Sequence, residues 1–462
     1  MPKGVKEFDE TRYQNLGTSV KRNETAYDHI QLRKLMNKEW FSCINFCKKS
    51  PTDIRSWQFK RIKKLVNNAF KNVPLYREKY SAIGFSPGDL KTWEDFERLP
   101  ILTKEEIIEA FPHKSVSIKH NLEFTTRSSG SSGKFVTIVV SPEAVYRDTM
   151  QGARQFYFQS GAKYKPNDLA LFIYTCPWWV SSIDGDYKTA FLPTTIKVEE
   201  ATKVIRNLRP KILSLYPTYL FKFYEKNIPL KKYGVELIII HSEQTSLQER
   251  LEISKFMGIP VLDEFSSEEL TRIALECPFR KYHLEEDACY VEIIDAKNKK
   301  KVKPGEQGLL IGTNLLNEAT PIIRYYQGDT AFIDRNKKCL CGSNFRIFGP
   351  VYGRYMDSIV DTNGEIIPAS CFMDLAYNWY LESGIPVHGL RYQIVQEKNG
   401  DINIYLCPSV YKITKKQQAI IKRSMYQLLS RNNRIYIHIV KKIPIIIGHK
   451  FRPVISFKHK TI

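Results

Sequence analysis

Between about residue 121 and residue 335, short apolar runs alternate with stretches of helical periodicity, and this alternation constrains the fold more than any other feature. Leu169 to Tyr174, Ile212 to Tyr216, Leu237 to His241 and Pro260 to Asp263 are strand-length, while Ser246 to Met257 has the spacing of a helix. Strands that alternate with helices build a sheet with helices on its faces, so an α/β fold is expected. Before about Ala82 the pattern is helical with polar connections, and Trp57 to Phe70 carries apolar residues at helical spacing. Thr103 with Glu106 three residues on has the signature of a helix N-cap. From Tyr290 to Ile311 the texture changes to hairpins, with turns expected at Asn298-Lys299 and Pro304-Gly305. The end reads as a hairpin from Tyr392 to Leu406 turning at Asn399-Gly400, a helix from Thr414 to Leu429 and a strand from Ile435 to Val440. That is a small α+β module, joined near Gly353.

A chain of 462 residues with 43% hydrophobic content can bury a large core in two or three domains. Aromatic residues make up 12%, which argues against disorder. No apolar window of ~18 residues exists, so no membrane insertion is expected. Met1 to Glu10 is charged and lacks an apolar stretch, and the nine cysteines form no regular framework. Both point to reduced thiols in a cytoplasmic protein. The formal net charge is +21, and no Asp or Glu follows Asp401. A one-signed tail of this kind attracts anions: nucleotides, coenzyme A, an acidic carrier protein or nucleic acid. A solvated basic face accounts for the same lysines equally well.

The run Thr126-Arg127-Ser128-Ser129-Gly130-Ser131-Ser132-Gly133-Lys134-Phe135 can wrap an anion. Its glycines let the backbone come close, its N–H groups and hydroxyls can point inward, and Lys134 brings charge. It is not a Walker A loop, because Ser128 stands where that pattern needs glycine and Phe135 where it needs Ser or Thr. A Ser/Gly-rich surface loop is the competing reading.

Five segments in order, from Leu99-Pro100 to the C-terminal end, resemble the adenylate-forming ligases, specifically the phenylacetate–CoA ligase and CapK-like branch. The Ser/Gly loop resembles that family's ATP phosphate loop, with Ser128, Ser129, Gly130, Ser131, Ser132, Gly133 and Lys134 around the phosphates. Phe265-Ser266-Ser267-Glu268-Glu269 resembles the Tyr-Gly-Ser-x-Glu block, so the resemblance implies that Phe265 stacks on adenine and Glu269 holds Mg²⁺. A hard divalent cation on a triphosphate suits one or two protein carboxylates. Arg324 to Asp329 resembles the Tyr-x-x-Gly-Asp block, whose aspartate, here Asp329, takes both ribose hydroxyls. Gly353-Arg354-Tyr355-Met356-Asp357 resembles the hinge between the domains, with Arg354 also reaching the ribose. His449-Lys450-Phe451-Arg452 resembles the Gly-Lys-x-Arg segment, whose lysine, here Lys450, serves adenylation. Ser242-Glu243-Gln244 resembles the segment that lines adenine, chiefly through backbone groups.

Cys277 with His283, and Cys339 with Cys341, are soft-to-borderline ligands that suit tetrahedral zinc. From the residues alone, buried thiols are an equal alternative. Some members of the branch carry a structural Zn²⁺ with this ligand order, so the resemblance favours the metal.

The resemblance implies a large multi-layer N-terminal domain for ATP and the acyl group over residues 1–353, and a mobile α+β C-terminal domain over 354–462. It implies an acid–thiol ligase. A small carboxylic acid would be activated by ATP and Mg²⁺ to an acyl-adenylate, with Glu269 and Lys450 as the catalytic pair. The acyl group would then pass to coenzyme A or to the phosphopantetheine of an acidic carrier protein. Cys176-Pro177-Trp178-Trp179 is placed near the acyl pocket, without defining the acid. Departures from the family pattern at Phe135, Ser266, Met356 and His449 motivate an alternative, a non-catalytic ATP- or carrier-binding protein of the same fold. A nucleic-acid-binding protein is the weakest reading, because Tyr426, Tyr436 and Phe451 form no stacking motif.

Overall fold

The computed structural model describes residues 29–120, 125–128, 136–174, 182–336, 338–349, 357–383, 385, 390–408, 412–443 and 451–458. The described chain opens with α1 (His29–Asn45), α2 (Pro51–Asn72), α3 (Pro74–Ser81), α4 (Trp93–Glu97) and α5 (Lys104–Ala110). Helix α2 starts at Ser50, whose side chain accepts the Asp53 N–H, with Pro51 in the first turn. Its Ile54, Ile62, Leu65, Val66 and Ala69 face inward at helical spacing. At the start of α5, Thr103 and Glu106 cap each other's backbone N–H groups, as their spacing predicts.

Next, β1 (Thr125–Arg127) and β2 (Thr137–Val139) pair antiparallel and frame the Ser/Gly run. Helix α6 (Pro142–Gln159) leads into β3 (Leu169–Tyr174), β4 (Lys188–Pro193), α7 (Val198–Leu208), β5 (Ile212–Leu215), α8 (Pro217–Glu225), β6 (Leu237–His241), α9 (Leu247–Met257) and β7 (Val261–Ser267). β8 (Thr271–Glu276) and β9 (Tyr282–Leu284) follow, then β10 (Cys289–Ile294), β11 (Gly308–Asn314), β12 (Tyr325–Ala331) and β13 (Ile347–Phe348).

The largest sheet has the order β13-β9-β8-β7-β6-β5-β3-β4. Strands β3 to β7 are parallel to one another, whereas β8, β9 and β13 join antiparallel. Both faces of the parallel part are covered, which explains its near-continuous Ile/Leu/Val runs. On one face Leu171, Ile173, Leu213, Leu215, Ile238 and Ile240 pack with residues of α7, α8 and α9. On the other, Ala170, Ile212, Leu237, Ile239 and Leu262 meet Phe156 of α6. The two sets alternate along each strand, the period-2 signature of a sheet buried on both sides.

β10, β11 and β12 form an antiparallel sheet packed on α2 and α3. The two expected turns both lie in the single 295–307 connection from β10 to β11, where Lys299 (φ +58°) and Gly305 (φ +87°) make the left-handed bends.

The remainder builds a separate core. β14 (Ile359–Val360) and β15 (Ile366–Ile367) form a small hairpin, followed by α10 (Ala369–Ser383), β16 (Leu390–Gln396), β17 (Ile402–Pro408), α11 (Lys415–Met425), β18 (Ile435–Ile439) and β19 (Val454–Ser456). The sheet order is β18-β17-β16-β19, and Phe372, Trp379, Ile394, Ile404, Ile421 and Met425 fill the space beneath it. The β16–β17 hairpin turns at Asn399-Gly400 as expected, with Gly400 at φ +92°. Helix α11 ends four residues earlier than its apolar pattern suggests. The N–H groups of Tyr426, Gln427 and Leu428 bond three residues back, so the helix tightens into turns that still bury Leu429. No helix among the described residues is long and apolar enough to cross a membrane.

Candidate functional site

In a sheet with parallel strands, ligands bind beyond the carboxyl ends of those strands. There the segments singled out in the sequence come together through side-chain hydrogen bonds. The Ser/Gly run leaves β1 at Ser128 and returns at Val136. The Ser128 N–H donates to the Val136 carbonyl (2.9 Å) and the Val136 N–H to Ser128 Oγ (3.0 Å), which closes the neck. Ser129 to Lys134 and Phe135 lie outside the described residues.

Just before the neck, Thr126 Oγ1 donates to Glu268 Oε2 at 2.6 Å. Glu268 and Glu269 occupy the turn between β7 and β8, so this bond joins the anion-wrapping run to the consecutive carboxylates. Glu269 is buried, accepts the Tyr325 hydroxyl at Oε1 (3.3 Å), and is held through its backbone carbonyl by Asn314 Nδ2 (3.0 Å). A hard cation bound to phosphates requires oxygen donors of this kind, and Glu268 offers one at the neck, with Glu269 next in the chain.

The same turn reaches β12. Ser267 Oγ donates to Gln327 Oε1 (2.9 Å), and Gln327 Nε2 donates to Asp329 Oδ2 (2.8 Å). Asp329 is thereby oriented, and a carboxylate is a group whose chemistry suits a vicinal diol. Phe265 on β7 lays its ring against Phe348 of β13, with centroids 5.9 Å apart and planes 12° from parallel. One face of the expected adenine-stacking ring is therefore backed by a second aromatic.

Beside Phe265, the register pairs His241 with Glu264, so Ser242 and Glu243 flank the end of β7. Ser242 adopts φ +72°, a strained conformation for a residue with a side chain and one concentrated at functional positions. Glu243 turns its carboxylate toward α8, where Oε2 accepts the Thr218 N–H (2.9 Å) and Oε1 the Thr218 hydroxyl (3.2 Å). Oε1 also accepts the Phe451 N–H from the C-terminal segment, at 3.1 Å. Arg452, next along, contacts both oxygens of Asp357 through Nη1, at 2.8 and 3.0 Å. Lys450, His449, Gly353 to Met356 with Arg354, and Cys176 to Trp179 lie outside the described residues.

The cysteine–histidine set converges as expected. One ligand atom from each of Cys277, His283, Cys339 and Cys341 lies within 4.8 Å of all the others. The Cys277 and Cys339 sulfurs are 3.7 Å apart, and the Cys341 sulfur is 3.2 Å from His283 Nε2. Two thiolates on tetrahedral zinc at ~2.3 Å span an edge of about 3.8 Å, so the cage fits that ion. His283 Nδ1 lies 3.1 Å from the Phe345 carbonyl oxygen, which fixes that nitrogen as the donor and turns Nε2 to the cluster. Burial opposes a charged His283, yet contacts with Cys277, Cys339 and the Phe345 carbonyl push its pKa up to about 9. Cys277 is pushed up to about 12 by its contact with Cys341 and by burial, while the same contact lowers Cys341.

Several side chains here were not read from the sequence as site residues. Glu268 stood only as the penultimate residue of a block and Gln327 as an inner residue of another, while Glu243, expected to act through its backbone, acts through its carboxylate. Thr126 and Tyr325 stood inside singled-out segments without a role of their own, and Thr218 carried no local signal. Each is recruited by a partner at least 25 residues distant, apart from Gln327 with Asp329.

No family model matches the chain. It is similar to the phenylacetate–coenzyme A ligase of Thermus thermophilus, with 22% identity over 365 residues that cover 76% of this chain and 80% of the relative. The Escherichia coli phenylacetate–coenzyme A ligase is 26% identical over 298 residues, covering 61% and 67%. Among solved structures, 2-hydroxyisobutyryl-CoA ligase in the postadenylation state with 2-HIB-AMP superposes with a TM-score of 0.73 at 18% identity, covering 88% of this chain and 90% of its own. The same enzyme in its thioesterification state, with 2-HIB-AMP and CoA, gives 0.58 over 88% and 91%.

Proposed function

The chain belongs to the adenylate-forming superfamily, on the branch of the phenylacetate–coenzyme A ligases, and from that premise we propose that it activates a carboxylic acid with ATP and passes the acyl group to a thiol. The supporting observation is the hydrogen-bonded path through the site. Thr126 ties the phosphate-loop neck to Glu268, and Ser267 and Gln327 tie the same turn to Asp329. Glu243 ties the adenine wall to Phe451, and Arg452 ties that segment to Asp357 after the hinge. Segments up to more than 300 residues apart in sequence are thereby assembled at one sheet end.

In this reading the substrate carboxylate attacks the α-phosphorus of ATP in line. A P–O bond to the acid forms as the bond to the β-phosphate oxygen breaks, and pyrophosphate leaves. The reaction requires positioning and charge stabilisation rather than a nucleophilic side chain. The loop from Ser128 to Lys134 holds the phosphates, Asp329 and Arg354 hold the ribose, and Phe265, backed by Phe348, packs on adenine. Glu269, with Glu268 beside it, would hold Mg²⁺, which when bound neutralises phosphate charge. Lys450 stabilises the pentavalent phosphorus. A thiol then attacks the acyl carbon and AMP leaves. Coenzyme A is the acceptor we favour, with an acidic carrier protein as the competing one. Cys277, His283, Cys339 and Cys341 would hold a structural Zn²⁺. Four protein ligands leave no position for water, so the metal would brace the wall rather than react.

The separate core beneath β16 to β19 supports a division into residues 1–353 and 354–462. The higher superposition score with the postadenylation state than with the thioesterification state supports an adenylation-like docking of the small unit.

Pyrophosphate release screened over a library of carboxylic acids, phenylacetate included, tests the proposal. Acid-dependent release that is lost in Lys450→Ala supports it. ATP binding without release for any acid would favour the non-catalytic reading that Met356 and His449 motivate.

A further inference from the structure

We infer that Glu243 is a positioning residue that latches Phe451, and with it the small unit, onto the large unit for adenylation; this rests on the function proposed above. Glu243 is buried, and its carboxylate is held from within the large unit. Thr218 supplies both its N–H and its hydroxyl at the first turn of α8. A helix N-terminus favours a carboxylate there, so the acceptor is preorganised.

The donor side is equally rigid. Phe451 to Pro453 is bound to the small unit at three places. Gln393 Nε2 donates to the Arg452 carbonyl (3.0 Å), the Ile394 N–H to the Pro453 carbonyl (2.8 Å), and Arg452 pairs with Asp357. The small unit therefore presents the Phe451 N–H as part of one body, and the 3.1 Å bond to Glu243 joins that body to the large unit. The donor belongs to the peptide that links Lys450 to Phe451. The latch therefore acts on the residue that directly follows, in sequence, the lysine to which the proposed function assigns adenylation. Phe221, Met373 and Pro453 line the surrounding cleft together with the charged Glu225, Glu249 and Arg391. When the small unit rotates for thiol transfer, Phe451 must leave Glu243, while Thr218 keeps the carboxylate in place for the return.

If Glu243 served only to cap α8, its loss would weaken both half-reactions alike. A latch acts on one arrangement of the units and so separates them. The test uses the full chain with Glu243→Ala and Glu243→Gln. It measures single-turnover acyl-AMP formation with ATP, magnesium and phenylacetate, or the acid selected by the pyrophosphate screen. It also measures thiol transfer from preformed acyl-AMP, and deuterium uptake of the peptide containing Phe451 in substrate-free protein. We expect Glu243→Ala to lower adenylation about tenfold relative to transfer, the loss of one charge-assisted hydrogen bond, and to speed exchange at Phe451. Glu243→Gln keeps an acceptor oxygen and should lie between wild type and alanine; it carries the test if the alanine variant does not fold. Equal losses in both half-reactions, or uptake at Phe451 unchanged, would overturn the latch. Wild-type protein that forms no acyl-AMP with any acid would instead remove the functional reading, and the exchange measurement would still decide the contact.

Discussion

Removal of the metal expected at Cys277, His283, Cys339 and Cys341 should destabilise the large unit and weaken the adenine wall. The cage lies between β9 and the segment that becomes β13. His283 pairs with Ile347, and the next residue, Phe348, backs Phe265. Without an ion, three thiols and an imidazole would be left crowded together, and the 338–346 segment would be held toward its end, where Asn344 bonds to Cys47 and Lys48, Phe345 is buried and Arg346 pairs with Glu286. A bound ligand stabilises the folded state by about 2.7 kcal/mol at a free concentration 100 times its Kd, and about 4.1 kcal/mol at 1,000 times. With about 2–4 °C of Tm per kcal/mol for a large domain, the loss is roughly 5–15 °C. The perturbation is a Cys339→Ser/Cys341→Ser variant, compared with wild-type protein purified without chelator. Elemental analysis should return about one Zn per wild-type chain, and calorimetry should show the lower Tm in the variant. ATP affinity should also fall, because Phe348 carries the disturbance to Phe265. Less than about 0.2 Zn per chain, or a variant with unchanged Tm, would refute the reasoning and leave four neighbouring thiol and imidazole groups with no ion.

Lys450→Ala should lower acyl-AMP formation by about 10² or more, the cost of losing one preorganised charge; quenched-flow comparison with thiol transfer checks it, and equal loss in both steps would remove the assigned role. Asp329→Ala should weaken ATP binding by about 1.5–3 kcal/mol for each charge-assisted bond to the ribose; unchanged affinity by calorimetry would place Asp329 outside the site. Cys43 and Cys289 should resist iodoacetamide at pH 8 in folded protein, because burial pushes both thiols up to about 12 and leaves a thiolate fraction of about 10⁻⁴. Labelling rises with pH toward those values, and rapid modification at pH 8 by peptide mass mapping would contradict their burial.

Local pattern made the elements legible. Strand-length apolar runs became β3, β5, β6 and β7, the Thr103–Glu106 spacing became a capping box, and Asn399-Gly400 became a hairpin turn. These depend on residues a few positions apart, which a one-dimensional reading captures. Motif order further predicted which segments would meet, and Cys277, His283, Cys339 and Cys341 converged accordingly. Only the tertiary structure decided how they meet. The consecutive carboxylates of Glu268 and Glu269 acquire different partners, Thr126 and Tyr325, from opposite directions along the chain. Glu243, read as a backbone contributor, directs its side chain to Thr218 and to a peptide 208 residues away. The end of α11 likewise depended on three-residue bonds that its apolar periodicity does not distinguish from a continuing helix. Hydrophobic period records which face of an element is buried. It carries no information about which distant polar atom will lie within 3 Å of another, because that is set by packing of elements whose sequence separation the pattern does not encode.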